Sequence, residues 1–525
     1  MKNVEYVNES YVIKADGQDA MLPKKWGFKY LENSTWVTRN PLVARSAIAY
    51  AKDKKTVNQL MKDWRRYERY IQNSRAKEAE FNTPVPETKS LFPHQRAGVA
   101  QMWDILSNSN DRNRGVLLAD DMGLGKTAQA ISIINRLESR DPKILITAPA
   151  AVKINWKQEL SQWLTKAYTY SIASGDYLPA GANITIINYD ILHKFSRQLS
   201  QGAYDLIIAD EAHYIKNNSA KRSKAFYNLK ANYRVLMTGT PIVNGHTDVF
   251  YMYRWLQPDI CSSKTWFKER FCNDLVGLHD MLRGTVMIRR LKREVLSLPP
   301  KNRQVITLPA EGCSDVIDSE RDAYNKNRAE IDRLTKAVIG AAKANNTVEY
   351  KKAIEALRYE RRRVLEHISK ERENVAKAKL PLSLKHIENC VLQSGKVVVF
   401  AHHRSILKAI KAKFGDIAVC LWGGMSETDK DNSVSRFQND PDIKLFVGSL
   451  TAAGVGITLT AASHVVFVEL DWVPHTLSQA EDRCYRIGQD ESVLVQHLVL
   501  DGSLDAPMSR KLINKQEIID RGLDG

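Results

Sequence analysis

A chain of 525 residues with 43% hydrophobic and 26% charged residues has room for several globular domains, and its ordinary composition excludes wholesale disorder. The formal charge of +17 favours a polyanionic partner, nucleic acid ahead of a membrane surface, although a basic surface also serves solubility. Cys261, Cys272, Cys313, Cys390, Cys420 and Cys484 lie far apart with no Cys-x-x-Cys pair, so reduced thiols and no structural zinc are expected. With no apolar run of membrane-spanning length and a polar start, Met1 to Ser10, the expectation is a soluble, intracellular protein with no membrane partner.

Residues 1–87 look like an accessory segment. Trp26 to Tyr30 and Trp36 to Thr38 suggest a small β-hairpin, and Asn40-Pro41 starts a helix expected to run to about Glu80. That helix carries Lys62, Arg65, Arg66 and Arg69 with Trp64, Tyr67 and Tyr70 among them. A nucleic-acid-facing strip and a docking helix with aromatics inward both explain this pattern. Thr83-Pro84-Val85-Pro86 marks a linker. From Leu91 to about Thr240 short β-rich runs alternate with helical patterns, the strands falling at 115–118, 144–147, 184–187, 206–209 and 235–237. Such a rhythm predicts a parallel sheet with helices on both faces and ligands at the carboxyl ends of the strands. The alternation then stops. Two charged amphipathic stripes between 316 and 379 predict a helical hairpin turning at Asn345-Asn346 and closed by Pro381. It returns from Leu382, with strands expected at 396–400, 417–421, 444–447, 464–468 and 493–500.

Three motifs carry chemistry. Ala119-Asp120-Asp121-Met122-Gly123-Leu124-Gly125-Lys126-Thr127 follows a strand and opens a helix, the arrangement that turns backbone N–H groups toward phosphate. Lys126 supplies a cation for the β- and γ-phosphates and Thr127 a hydroxyl for Mg²⁺; Asp120 stands where the strict pattern has its first glycine. Asp210-Glu211-Ala212-His213 ends the run Leu206 to Ala209. The spacing suits Asp210 as a metal carboxylate and Glu211 as the base for an attacking water, whereas alone the pair reads as an inert strand-end acidic cluster. Arg483 and Arg486, three apart, share one face if helical and could neutralise a γ-phosphoryl group; a surface salt bridge to Glu481 or Asp482 is the competing reading.

Gln95, Gly-Leu-Gly-Lys-Thr, Asp-Glu-Ala-His, Met237-Thr238-Gly239-Thr240-Pro241 and Gln479-Ala480-Glu481-Asp482-Arg483-Cys484-Tyr485-Arg486-Ile487-Gly488-Gln489 together resemble superfamily-two helicase motors of the Swi/Snf-like DNA translocase family. That family writes Asp-x-Met-Gly-Leu-Gly-Lys-Thr, so Asp120 ceases to be an anomaly. The strings Ile288 to Leu296, Leu298-Pro299-Pro300-Lys301 and Val466 to Leu470 resemble its annealing-helicase, fork-remodelling branch. The resemblance implies an α/β fold: an accessory segment (1–87), a RecA-like doubly wound lobe (88–258), a helical insertion (259–381) and a second RecA-like lobe (382–525). It implies ATP and Mg²⁺ as cofactors, with Gln95 reading adenine and Gly454 touching nucleotide. DNA is the implied partner, held largely without regard to sequence by Lys153, Asn155, Trp156, Tyr189 and Thr451, and the motor is a monomer. Cytoplasmic location follows for a prokaryotic or viral protein, nuclear for a eukaryotic one. A strand-separating DNA or RNA helicase and a non-hydrolysing DNA-binding scaffold are the alternatives.

Overall fold

The computed structural model describes residues 3–108, 114–239, 241, 249–259, 261, 263–271, 274–296, 298–343, 347–450, 457–471 and 474–506. The chain divides into two compact units, the first from Met1 to Ser297 with Asp520–Gly525, the second Leu298–Ile519.

The first unit begins with an antiparallel sheet of order β1-β2-β4-β3, from β1 (Val4–Val7), β2 (Ser10–Lys14), β3 (Lys29–Tyr30) and β4 (Thr35–Thr38). The expected hairpin is therefore β3–β4, extended by two strands. Asn40 caps a helix as expected, its Oδ1 accepting from Leu42 N at 3.0 Å, but that helix is only Pro41–Arg45. A second helix, Lys54–Asn73, starts where Asp53 accepts from Thr56 N at 2.7 Å, so a second cap divides what was read as one element. Tyr67 and Tyr70 are buried while Lys62, Arg65 and Arg69 are exposed, the pattern of a docked helix. The segment is fastened to the rest of its unit by Arg39–Asp259 (2.8 Å), Arg69–Asp104 (2.9 Å) and Trp266 Nε1 donating to Lys25 O at 3.0 Å.

The main sheet of this unit contains β5 (Gly115–Leu118), β6 (Ile144–Ala148), β7 (Tyr170–Ile172), β8 (Ile184–Asn188), β9 (Tyr204–Ala209), β10 (Ala231–Met237) and β11 (Met287–Ile288). Its order is β11-β5-β10-β9-β6-β8-β7, every pair parallel. β5 and β6 are buried at every residue because helices cover both faces, which is why they read as continuous apolar runs. The second unit holds a parallel sheet of order β12-β17-β16-β13-β15-β14. Its strands are β12 (Lys301–Leu308), β13 (Val397–Ala401), β14 (Ala418–Leu421), β15 (Leu445–Ser449), β16 (His464–Phe467) and β17 (Val493–Leu500).

Two boundaries differ from expectation. The stretch 259–381 is not one helical insertion, because β11 joins the first sheet beside β5 and β12 joins the second beside β17. Both are edge strands, one of only two residues and one alternating exposed and half-buried side chains, so neither presents a long apolar run. The helical hairpin is present as Ser314–Lys343 and Thr347–Ser394, with Asn345-Asn346 outside the described residues. Pro381 does not close it. The helix continues to Ser394 because Val375, Ala376, Ile387 and Cys390 pack into the core of the second sheet, and burial outweighs one lost backbone bond.

Candidate nucleotide site

The phosphate loop leaves β5 at Leu118 and ends at Gly125, the left-handed residue (φ 75°) before the helix Lys126–Arg136. A Cβ on Gly125 would lie 2.1 Å from Gln95 Nε2, so glycine there serves both the turn and the approach of Gln95. Gln95 accepts from Phe92 N at 3.0 Å and donates to Leu124 O at 3.2 Å. The side chain read as an adenine contact thus also fixes the loop. Lys126 Nζ donates to Asp120 O at 2.9 Å and Asp121 O at 3.3 Å, a cation folded into its own cradle. Thr127 is half-buried at the first turn of the helix.

Asp120 is fully buried, and its partner is a residue that motif reading did not assign to the site. Arg290, 1% exposed, donates from Nε to Asp120 Oδ1 at 3.0 Å and from a terminal nitrogen to Oδ2 at 2.5 Å. The same guanidinium reaches Gln129 Oε1 at 3.0 Å and the His94 carbonyl. A Cβ on Gly98 would lie 2.0 Å from Gln129 Oε1 and 2.2 Å from Arg290, so this glycine admits the cluster. Arg289 donates to Ala119 O at 2.8 Å and Gly239 O at 3.0 Å, and Asp121 accepts from Lys292 N at 3.1 Å. The available sequence signal was two cations immediately after the apolar run Val286-Met287-Ile288, the end of a buried strand.

Asp210 follows β9 and is 8% exposed. Burial and then the neighbouring Glu211 raise its pKa to about 6, the condition of a carboxylate short of compensating positive charge. Its Oδ2 accepts from Trp156 Nε1 at 3.0 Å, its Oδ1 from Glu211 N at 2.9 Å, and its carbonyl from Tyr189 OH at 2.6 Å. Trp156 and Tyr189, expected to meet DNA, are 0% and 1% exposed, and their side chains face the acid pair. Lys153, whose Nζ donates to Ala173 O at 2.9 Å, and Asn155 are both half-buried. Glu211 has a left-handed backbone (φ 51°, ψ 53°), uncommon for a residue with a side chain. It lies 3.2 Å from His213 Nδ1, which is 3.4 Å from Thr238 Oγ1, linking the acid pair to the end of β10.

In the second unit Arg483 and Arg486 lie in the turns after the helix Pro474–Glu481, not on a helix face. They converge nonetheless, each donating to Ile457 O at 3.4 Å, with Arg486 also reaching Thr458 Oγ1 at 2.8 Å. Glu481 pairs with Lys301 (2.9 Å) and Arg303 (2.6 Å). Thr240, Thr451 and Gly454 lie outside the described residues.

The residues so placed fit a nucleotide with its metal: a glycine loop and lysine for phosphate, and the buried, under-compensated Asp210 carboxylate and the Thr127 hydroxyl as oxygen donors for a divalent cation. Among the described residues no group of three or more His, Cys, Asp or Glu is placed to hold a metal ion. The SNF2-related domain model matches residues 94–380, and the helicase conserved C-terminal domain matches 379–488. The chain belongs to the SNF2-related family. Within the SNF2-related proteins it is 31% identical to the DNA annealing helicase and endonuclease ZRANB3 of Mus musculus, over 83% of this chain and 41% of the relative. It is 33% identical to the SWI/SNF-related matrix-associated actin-dependent regulator of chromatin subfamily A-like protein 1 of Xenopus tropicalis, over 79% of this chain and 43% of the relative. Both are relatives of the kind the strings at 288–301 and 466–470 led us to expect. The chain spans about two fifths of the length of these curated relatives. A solved Sulfolobus solfataricus SWI2/SNF2 ATPase core in complex with dsDNA is 26% identical with a TM-score of 0.40, covering 85% of this chain and 96% of that one. No helix among the described residues is long and apolar enough to cross a membrane.

Proposed function

We propose that this SNF2-related chain is a DNA-stimulated ATPase that moves along duplex or forked DNA, reannealing or remodelling it or displacing bound proteins. The observation that supports this most is the convergence of Lys126, Asp210 and Glu211 at the carboxyl ends of β5 and β9, two parallel strands with β10 between them, in a chain that also carries the helicase C-terminal domain with its paired arginines. Lys126 and the loop N–H groups hold the β- and γ-phosphates, and Gln95 sits beside the loop for adenine. Thr127 and Asp210 would hold Mg²⁺, which would offset phosphate charge. Glu211, kept in its uncommon backbone conformation beside His213, takes the proton of the attacking water. Arg483 and Arg486 neutralise charge on the transferred phosphoryl. Lys153 and Asn155 are the described residues left to meet the DNA backbone, and Thr451 and Gly454 are assigned with them from the motif alone.

The ATPase is tested by phosphate release with and without DNA for wild type, Lys126→Ala, Glu211→Gln and Arg486→Ala. Loss of either an arginine finger or the base should lower turnover on the order of a thousandfold; rates near wild type would refute the assignment. Triplex displacement run beside fork unwinding separates translocation from strand separation, since unwinding without displacement would point to a helicase.

A further inference from the structure

The carboxyl end of β10, at Met237, pairs with Leu118 where the phosphate loop leaves β5. The other end of the strand, at Ala231, lies about 20 Å away at the amino end of the sheet. There a cavity of about 530 Å³ opens on the first unit, lined by residues of that unit. Its volume is that of a small-molecule site. None of the motif residues assigned above is among its described lining residues.

Tyr227, Tyr251 and Trp255 supply the apolar part of the lining. Their polar tips are engaged elsewhere: Tyr227 OH donates to Ile215 O at 3.0 Å, Trp255 Nε1 to Leu229 O at 3.2 Å, and Tyr251 OH accepts from Lys264 Nζ at 3.1 Å. These bonds fix the rings, and the Tyr227 and Tyr251 centroids stand 6.2 Å apart. Rings already held in place lose little freedom when a flat guest packs on them.

Lys230, Arg234 and Arg254 line the same cavity, and none of its described lining residues is acidic. Lys230 and Arg254 are exposed, whereas Arg234 is only 8% exposed. Burial drives the Arg234 pKa down to about 10 against the pull of Asp259, which is itself 2.8 Å from Arg39. A guanidinium in that condition gains from an oxyanion that reaches it. One of its terminal nitrogens donates to Trp255 O at 2.9 Å, near the carboxyl end of the helix Phe250–Leu256. Capping that helix accounts for one bond. It does not account for two further cations and three rings gathered round one opening.

We propose that this cavity is a second ligand site, for a planar aromatic ring carrying a phosphate: a nucleotide unit whose base packs on the Tyr227, Tyr251 and Trp255 rings while its phosphate meets Lys230, Arg234 and Arg254. Three cations suit a phosphate better than a single carboxylate, and rings beside cations hold individual nucleotides by stacking and charge. A free mononucleotide and one unit of a single strand share this chemistry. The site stands apart from the phosphate loop and does not depend on ATP hydrolysis.

The test photolabels the full chain with an azido derivative of adenosine monophosphate and maps the labelled peptides by mass spectrometry. Label on peptides carrying Tyr227, Tyr251 or Trp255 is thereby read separately from label at the phosphate loop. Such label is expected, and the double variant Lys230→Glu, Arg254→Glu should lower it by about tenfold or more. Both side chains are exposed, so an unchanged unfolding midpoint is expected alongside. On the wild-type protein, which needs no variant to fold, azidoadenosine without the phosphate should label these peptides about tenfold less. Absence of label there, label indifferent to the double variant, or equal labelling without the phosphate overturns the site. Thymidine monophosphate and a single-stranded thymidine oligonucleotide then compete for the label at equal nucleotide concentration. Stronger protection by the monomer identifies a free nucleotide as the occupant, stronger protection by the oligomer identifies a strand, and protection by neither overturns the proposal.

Discussion

Asp120 and Arg290 lie 170 residues apart in sequence and form a buried ion pair, 0% and 1% exposed, beneath the phosphate loop. Replacing Arg290 by methionine leaves the Asp120 carboxylate with Gln129 Nε2 at 3.1 Å and the Arg290 backbone N–H at 3.0 Å as the contacts that survive. An uncompensated buried charge of this kind costs about 3–5 kcal/mol. Asp120→Leu exposes the guanidinium to the same penalty, relieved in part by its bonds to Gln129 and the His94 carbonyl. Removing both charges together should cost much less than the sum, so a double-mutant cycle is expected to show coupling of about 2 kcal/mol or more. Urea unfolding of the four proteins, followed by tryptophan fluorescence, measures it. All of the 10 tryptophans except Trp422 and Trp472 fall within Met1–Ser297, so the signal reports chiefly the first unit. Single substitutions costing under about 1 kcal/mol, or penalties that add within about 0.5 kcal/mol, would refute the pairing as a determinant of the loop.

Two further outcomes follow from groups that packing has placed. Trp156→Phe removes the 3.0 Å bond to Asp210, and a hydrogen bond to a charged group is worth about 1.5–3 kcal/mol, so kcat should drop about 10- to 100-fold with DNA affinity unchanged; weakened DNA binding at normal kcat would restore the DNA-contact reading. Glu320, 3% exposed, has its pKa raised to about 7 by burial, with Asp505 adding to the shift. An acid whose folded pKa is raised keeps its proton in the folded state while the unfolded chain loses it, so the second unit loses stability as pH climbs from about 4.5 to about 7, by an amount on the order of 3 kcal/mol. Glu320→Gln retains an acceptor for Leu504 N (2.9 Å in wild type) and should be the more stable protein at pH 8, with the advantage gone near pH 5. Equal differences in unfolding midpoint at both pH values would exclude the effect.

What the sequence disclosed, and what it hid, divides by the range of the interaction. Central parallel strands such as β5, β6 and β13 are buried on both faces, so each carries its own apolar signature and was located almost to the residue. β7, β11 and β12 are short or half-exposed edges, and only pairing with a neighbour already in place makes them strands. Lys126, after β5, and Asp210-Glu211, after β9, stood out in the sequence because phosphate chemistry constrains residue type at the end of a strand. The inward direction of Trp156 and Tyr189 was not legible for the complementary reason: a motif position gives a residue's neighbourhood in the chain, and burial decides which way its side chain faces.

Asp120 shows the point most sharply. Local pattern alone counts an aspartate in a phosphate loop as a defect, since a second negative charge beside a polyphosphate is unfavourable. The Asp120 charge is spent elsewhere, on Arg290, beneath the loop that carries Lys126. Arg290 in turn stands just before the chain leaves the first unit. An acid that neutralises that arginine therefore makes the phosphate loop and the start of the interunit connection a single packed element. A glycine at position 120 would preserve the phosphate cradle and lose that connection, so the departure from the strict loop pattern is explained by the buried pairing with Arg290.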